Sequence, residues 1–522
     1  MRLTAASLIT RPVRGPVATV LAGSLLTALL VALTGPVATA DPEASSPARE
    51  RAEQALSQAQ ALLSPPTARP GPAPRASTTA GPPRGDATLA LRELQLREGD
   101  LSRADQRRAS DLLDRPSTPV LAENGVAVVH GNVDQVAVGY AAQVLATITQ
   151  VHQTYVGAGY RAPLPDGSLG GDPRIDIYLA DLAPSTAYGY CTSDQPLPRG
   201  SSARWAFCVL DNSYTGYPGG APTQLLQVTA AHEYFHAVQY AYDSLEDGWF
   251  LEGTAAWAED QVYDDVDDNL QYAPFSPLAG PRFSLDIFDP GGFRQYGAWF
   301  FFRWLSERFP TSQGGMPVIV RQFLEAADST RGPGADKYST QAVSHVLKQY
   351  RLPIDEAFAR FADANRRPRA FYSEARANKY PTAPLAQKIT LSPGRRAATG
   401  KQLAIDHLAS ATTRFVPQRL TSKRFMLRVQ VDLADRRTSP AAVVSTYSRK
   451  GPVKTKLVTL DRRGNGAYRT PFSSRKVRAV EVTLVNASTR FTNCYQVAVT
   501  YSCYGKPVDE GLRARVRATV LR

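Results

Sequence analysis

At 522 residues, with the hydrophobic content of a globular protein, the chain has room for two or three domains and ample surface to bury. Beyond the N-terminus no stretch is apolar enough to span a bilayer, which excludes a polytopic membrane protein. The net charge of +13 is unevenly spread: residues 120–384 carry 19 basic and 29 acidic groups, residues 385–522 carry 27 and 7. A basic C-terminal part favours anionic surfaces such as cell wall or polysaccharide, although a solvated charged surface is the simpler reading, and nothing points to a specific nucleic acid.

The first 40 residues read as an export signal: Arg2, Arg11 and Arg14, an apolar run from Val17 to Leu33, and small residues at Ala38-Thr39-Ala40. The alternative is an uncleaved anchor, because the run is long. Residues 41–118 are expected to be a pro-region or linker, partly disordered. Within it, 47–63 suits a short helix, SPPTARPGPAPRASTTAGPPRG is Pro/Gly-rich linker, and Leu91, Leu94, Leu101, Leu112 and Leu113 recur at helical spacing. An inhibitory arm and a plain spacer are both open readings. The segment contains no Cys, so a thiol cannot be the group that masks a metal there.

From Val126 the pattern changes. Residues 126–130, 174–179 and 206–211 alternate as strands, and 133–156 carries an apolar helical face of Val136, Tyr140, Val144, Ile148 and Val151. The strand at 206–211, just before the next helix, is placed to receive an extended peptide by β-addition. Four Cys in an exported chain fall in two close pairs, and Cys191–Cys208 with Cys494–Cys503 is the favoured pairing of three.

The helix expected at 222–243 contains His232-Glu233-Tyr234-Phe235-His236, an H-E-x-x-H. Two His at i and i+4 share one helical face and can hold one Zn²⁺, with the intervening Glu as general base on an activated water. With six His in the chain, chance produces this pattern in roughly 0.002 of such sequences. A catalytic zinc takes a third protein ligand, and Glu252 and Glu259 on the next helix, 249–262, are the candidates. Glu252 is preferred, near the helix start beside Gly253, where close approach is easiest. Glu259 would then orient a ligand His.

The acidic run Asp264-Asp265-Val266-Asp267-Asp268-Asn269 offers hard oxygens for a structural Ca²⁺ but lacks EF-hand spacing and its Gly. Residues 293–309 form an apolar helix, and 313–375 read as helical throughout. From 385, Val/Thr/Tyr-rich runs such as FMLRVQVDL, AAVVSTYS and VRAVEVTLVN predict an all-β sandwich.

HEYFH followed by WFLEGTAAWAED resembles the gluzincin metallopeptidases, in which the zinc helix is followed by one carrying an E-G-x-A-like segment. The longer pattern, with GYRAPLPDG and RIDIYLADL, is similar to a family of secreted bacterial metalloproteases known mostly from genomes. The resemblance implies an α+β fold: a zincin-like catalytic domain at 119–384 with a mostly helical second subdomain, then the sandwich at 385–522. It implies His232, His236 and Glu252 as ligands, Glu233 as base, and a Tyr from a later helix as oxyanion donor; Tyr296 is the candidate, although a core aromatic among Phe300, Phe301 and Trp304 is the simpler reading of it. One departure is Ala256, where some gluzincins place an acidic residue to hold a ligand His. The expected protein is therefore a secreted, monomeric zinc endopeptidase acting on protein or peptide substrates. The rivals are a surface- or polymer-binding protein with a vestigial zincin domain and a zinc hydrolase with non-peptide substrates.

Overall fold

A computed structural model describes residues 46–63, 86–185, 187–196, 200–289, 291–332, 334–492, 494 and 505–522. The signal segment, the Pro/Gly-rich stretch at 64–85 and Cys503 lie outside them. Among the described residues helices predominate up to residue 371 and strands from 387, a mixed α+β protein with a sheet-rich C-terminal region.

Three helices open the described chain: α1 (Pro47–Leu63), α2 (Thr88–Arg97) and α3 (Arg103–Leu113). The expected helical stretch at 87–114 is broken by a 3-10 turn at Glu98–Asp100, after which Ser102 caps α3 by accepting from Asp105 N–H. Strands β1 (Val120–Glu123) and β2 (Ala127–Gly131) then lead into α4 (Tyr140–Gly157). This helix starts seven residues later than its periodicity predicts. Gly139 sits at φ 85°, a left-handed conformation that ends the preceding turn rather than continuing a helix.

β3 (Ile175–Ala180), β4 (Gly189–Thr192) and β5 (Phe207–Asp211) complete a five-stranded sheet of order β1-β2-β3-β5-β4. β2, β3 and β5 are parallel, while β4 runs antiparallel along the edge. Two expectations change here. The segment at 189–192, between the strands expected at 174–179 and 206–211, is an edge strand. The strand preceding the H-E-x-x-H helix, β5, is interior and has no free edge for a peptide; β4 has one. Cys191 and Cys208 face each other in the β4–β5 register and are joined by a disulfide, which staples the edge to the sheet.

Alternation along the strands decides what covers each face. Ile175, Ile177, Leu179, Cys208 and Leu210 point toward α4 and α5 (Pro222–Tyr240) in the main core. Tyr178, Tyr190, Phe207 and Val209 point the other way, into a cluster with Ala55 and Leu56 of α1, Leu91 and Leu94 of α2, and Ala109 and Leu113 of α3. The N-terminal helices thus bury the second face of the sheet. Arg115 secures their exit by pairing with Asp166 at 2.7 Å, with Asp194 at 2.5 Å and with Asp176.

α6 (Gly248–Val262) packs antiparallel to α5 after a short turn. The helix expected at 293–309 is two, α7 (Arg294–Gly297) and α8 (Trp299–Arg308); the turn tightens at Ala298, whose carbonyl accepts from Phe301 N–H. Likewise 313–375 is not continuous. It divides into α9 (Val318–Ala326), α10 (Thr340–Gln349), α11 (Ile354–Ala364) and α12 (Pro368–Phe371), interrupted by Gly332, Pro353 and Pro368.

The C-terminal region forms two five-stranded sheets. One holds Leu512–Leu521, Met426–Asp432 and Asn465–Pro471, the other Pro440–Ser448, Val477–Asn486 and Ala409–Pro417. Their inward residues, among them Val429, Val444, Phe415, Val482 and Val516, share one apolar core. Val443 and Val485, on the opposite face of the second sheet, join the main core with Phe358 and Phe361 of α11. A buried ion pair, Arg366 to Glu481 at 2.8 Å, crosses the same contact. The outer face of the first sheet shows exposed Arg428, Arg469, Arg513, Arg515 and Arg517.

His407 marks a second crossing. Its Nε2 lies 2.8 Å from Asp286 Oδ1 and its Nδ1 pairs with Glu510. Burial alone would lower its pKa, but the Asp286 and Glu510 carboxylates outweigh it and raise it to about 10. A group raised in the folded state stabilises fully below its unfolded pKa and loses that contribution as pH rises through the folded one. His407→Gln is therefore expected to cost about 3 kcal/mol at pH 6, because it strands a buried carboxylate. The difference in melting temperature from the parent chain should shrink between pH 6.5 and 10. A difference independent of pH would contradict the charged-imidazole account.

Candidate metal centre

α5 is apolar on every side and buried along nearly its whole length, so its polar residues stand out. Pro222 occupies its first turn, and the Gln224 side chain accepts from Ala221 N–H. One turn apart on the face toward α6 lie His232 and His236, their rings 4.9 Å apart and both buried. Glu252 arrives from the first turns of α6. Its Oε2 is 3.3 Å from His232 Nε2 and 3.6 Å from His236 Nε2.

Gly253 has a different role from the one its neighbour suggests. A Cβ there would lie 3.0 Å from Phe302 and 3.2 Å from Ala298, so the glycine lets α6 lie close against α8 rather than against the His pair. Glu259, two turns further along, faces the other nitrogen: its Oε2 is 3.6 Å from His232 Nδ1. Of the two carboxylates, Glu252 meets the Nε2 atoms and Glu259 stands behind His232.

His236 is held by a residue that spacing did not reveal. Its Nδ1 lies 2.7 Å from Gln239 Oε1, and the Gln239 amide donates to Leu251 O at 2.9 Å and Thr254 Oγ1 at 2.8 Å. With both amide protons committed, the Gln239 oxygen must accept. His236 then carries its proton on Nδ1, leaving the Nε2 lone pair free for a metal.

A fourth group comes from 146 residues before His232. Asp86 Oδ2 lies 2.9 Å from His236 Nε2 and 3.3 Å from His232 Nε2. The sequence offered no sign of it: Asp86 follows the linker, with no motif or period around it.

Asp86, His232, His236 and Glu252 form a buried set whose donor atoms all lie within 4.8 Å of one another. Two nitrogens and two carboxylate oxygens suit a borderline divalent cation, and two negative charges match its charge. A tetrahedron with bonds of 2.0–2.1 Å has edges of about 3.3 Å. The four His–carboxylate separations, 2.9, 3.3, 3.3 and 3.6 Å, bracket that length. The residues fit a divalent cation held by two imidazoles and two carboxylates.

Electrostatics agree. Burial opposes charge on Asp86, but the two imidazoles beside it hold its carboxyl well below the usual range. Burial lowers both His, yet carboxylates win. His232 is raised well above its ordinary value by Asp86, Glu252 and Glu259, and His236 to about 10, chiefly by Asp86. The site is an anionic pocket that attracts positive charge. Glu233 points into the same space; burial, then the Asp86 charge, lift its pKa to about 8. Tyr296, from α7, is buried with its ring centroid 6.1 Å from that of His232, and its hydroxyl accepts from Asp86 N–H at 3.1 Å. Burial raises its pKa well above that of a free tyrosine, so it stays a donor.

The acidic run behaves otherwise. Asp268 is half-buried on the cleft wall, Asp267 accepts from Asn378 Nδ2, and Asp264 faces Arg303 at 3.8 Å. Among the described residues no cluster gathers two carboxylates of this run. The one that includes Asp264, with Asp260 and Glu374, already holds the Arg303 guanidinium as its cation. Among the described residues the run thus gathers no Ca²⁺ site, in keeping with a solvated acidic loop rather than the alternative of a structural Ca²⁺.

No family model matches the chain, and no curated protein does. Solved structures give only faint likenesses. They include the periplasmic inhibitor of g-type lysozyme from Aeromonas hydrophila (13% identity, 26% of this chain and 100% of that one, TM-score 0.15). Another is a GH115 4-O-methyl-α-glucuronidase (10% identity, 70% and 54%, TM-score 0.14). A third is a β-glucosidase from Paenibacillus barengoltzii (10% identity, 91% and 51%, TM-score 0.12).

Proposed function

We propose that the protein is an exported zinc metallopeptidase of zincin-like fold, similar in its ligand pattern to the gluzincins. The observation that carries this reading is the convergence of His232, His236 and Glu252 on one buried point, with Glu233 beside it and β4 at the edge of the adjoining sheet. The disulfide and the absence, among the described residues, of a helix long and apolar enough to cross a membrane are compatible with export.

A zinc ion held by these residues would polarise a scissile carbonyl and make a neighbouring water acidic enough to attack at neutral pH. The rest is the work of the chain. β4 offers outward N–H and C=O groups along which an extended peptide can lie. Glu233, beside the ligand pair on α5, takes the proton of the attacking water and delivers it to the leaving amine. Tyr296 donates to the developing oxyanion. Gln239 and Glu259 hold the two imidazoles in position. The arginine face of the sandwich would suit docking to an anionic polymer near the substrate.

Tyr296→Phe should lower kcat by about 100-fold with KM little changed; a change below twofold would reduce Tyr296 to a packing residue. The whole reading is tested by digesting casein and a peptide library with and without a zinc chelator. Chelator-sensitive cleavage restored by zinc is expected. No cleavage by either the parent or the Asp86→Ala chain would exclude a peptidase and leave the binding-protein and non-peptide hydrolase readings.

A further inference from the structure

The groups that the peptidase reading requires are all engaged by one short stretch of the N-terminal segment. Asp86 Oδ2 sits against both His Nε2 atoms, and Asp86 N–H donates to Tyr296 Oη. Two residues on, Thr88 Oγ1 donates to Glu233 Oε2 at 3.2 Å and accepts from Cys191 N–H of the edge strand at 2.9 Å. Ligands, base, oxyanion donor and substrate-binding edge are thus occupied together. Thr88 N–H donates to Asp86 Oδ1 at 2.6 Å, an Asx-type turn that fixes the carboxylate's direction.

The stretch is anchored behind the cleft. Arg92 is buried and donates to Ser244 O at 3.1 Å and Glu246 O at 2.7 Å, in the turn between α5 and α6. Gln95 donates to Ser193 O beyond the end of β4 and accepts from Arg204. A helix cannot lie along a strand edge as an extended substrate does, so α2 blocks the cleft without offering a scissile bond.

We propose that Asp86 is the fourth ligand of the metal and that residues 86–97 hold the chain latent. This rests on the metal reading above. With His232, His236, Glu252 and Asp86 in place, all four corners of a tetrahedral site are filled by protein, as in a structural rather than a catalytic zinc site. Activity then requires residues 86–88 to leave the cleft, which would free the position Asp86 holds against both Nε2 atoms and the Cys191 N–H that Thr88 accepts. A carboxylate performs the masking that the absence of Cys denies to a thiol.

The test uses the full-length chain loaded with Co²⁺, whose visible absorption reports ligand number and exchange. Asp86→Ala should alter the spectrum and let acetohydroxamate perturb it further, while the parent spectrum stays indifferent to acetohydroxamate. A chelator should extract cobalt at least about tenfold faster from the variant. Asp86→Asn, which keeps the size and one oxygen, should fall between the two and serves if the alanine variant folds poorly. Cobalt uptake with superimposable parent and variant spectra, or a parent spectrum that responds equally to acetohydroxamate, would overturn the latch and leave the metal reading standing. No cobalt uptake by the parent would overturn both.

Discussion

Glu233→Gln, made in the Asp86→Ala background that releases the cleft, is expected to retain the metal and to lower peptide hydrolysis by about 10³-fold relative to Asp86→Ala alone. Glu233 makes none of the close contacts among His232, His236, Glu252 and Asp86, so the amide leaves the donor set intact. The substitution removes only the proton acceptor. Burial and the Asp86 charge raise the Glu233 pKa to about 8 while Asp86 occupies the cleft, and departure of Asp86 removes the second of these causes. A variant that lost metal along with activity would show that Glu233 is needed to build the site; one that kept full activity would show that it is not the base.

The second large effect separates two carboxylates on one helix. Glu252→Ala should lower zinc affinity by more than about 100-fold, because it removes an oxygen 3.3 Å from His232 Nε2. Glu259→Ala acts only through His232 Nδ1 and should cost about 10–100-fold, the range for a residue that orients a ligand from behind. Competition against a calibrated chelator measures both. The reverse order would make Glu259 the ligand.

Much of this architecture could be read from local pattern. The H-E-x-x-H and the Glu seven residues before Glu259 are spaced by helix geometry, so the ligand face of α5 and the choice between two carboxylates on α6 were open to inspection. Strands of the sandwich were legible wherever Val and Thr alternate, and the pairing of Cys191 with Cys208 followed from closeness in sequence. What escaped inspection depends on tertiary placement. Nothing near residue 86 marks Asp86 as a partner of residues 146 and more positions away. Gln239 looks like one polar side chain on an apolar helix until Leu251 and Thr254 fix its amide. The interior position of β5 is set by how β4 folds back beside it, which alternation alone does not encode. Breaks at Ala298 and across 318–371 were missed because apolar periodicity continues through turns that Gly, Pro and local tightening impose.

The N-terminal helices show the same contrast between pattern and placement. Leu91 and Leu94 announced a helix but not its destination. The destination is the second face of the central sheet, where Tyr178, Tyr190, Phe207 and Val209 would otherwise meet water. That packing gives α2 the rigidity to carry Asp86 and Thr88 into the cleft.

The most direct test of the central claim is the metal content of the purified chain. About one zinc per chain is expected, bound tightly enough to survive dialysis and lost when His232 or His236 is replaced by Ala. A chain that carries no zinc, takes up none, and behaves identically with and without a chelator would contradict it.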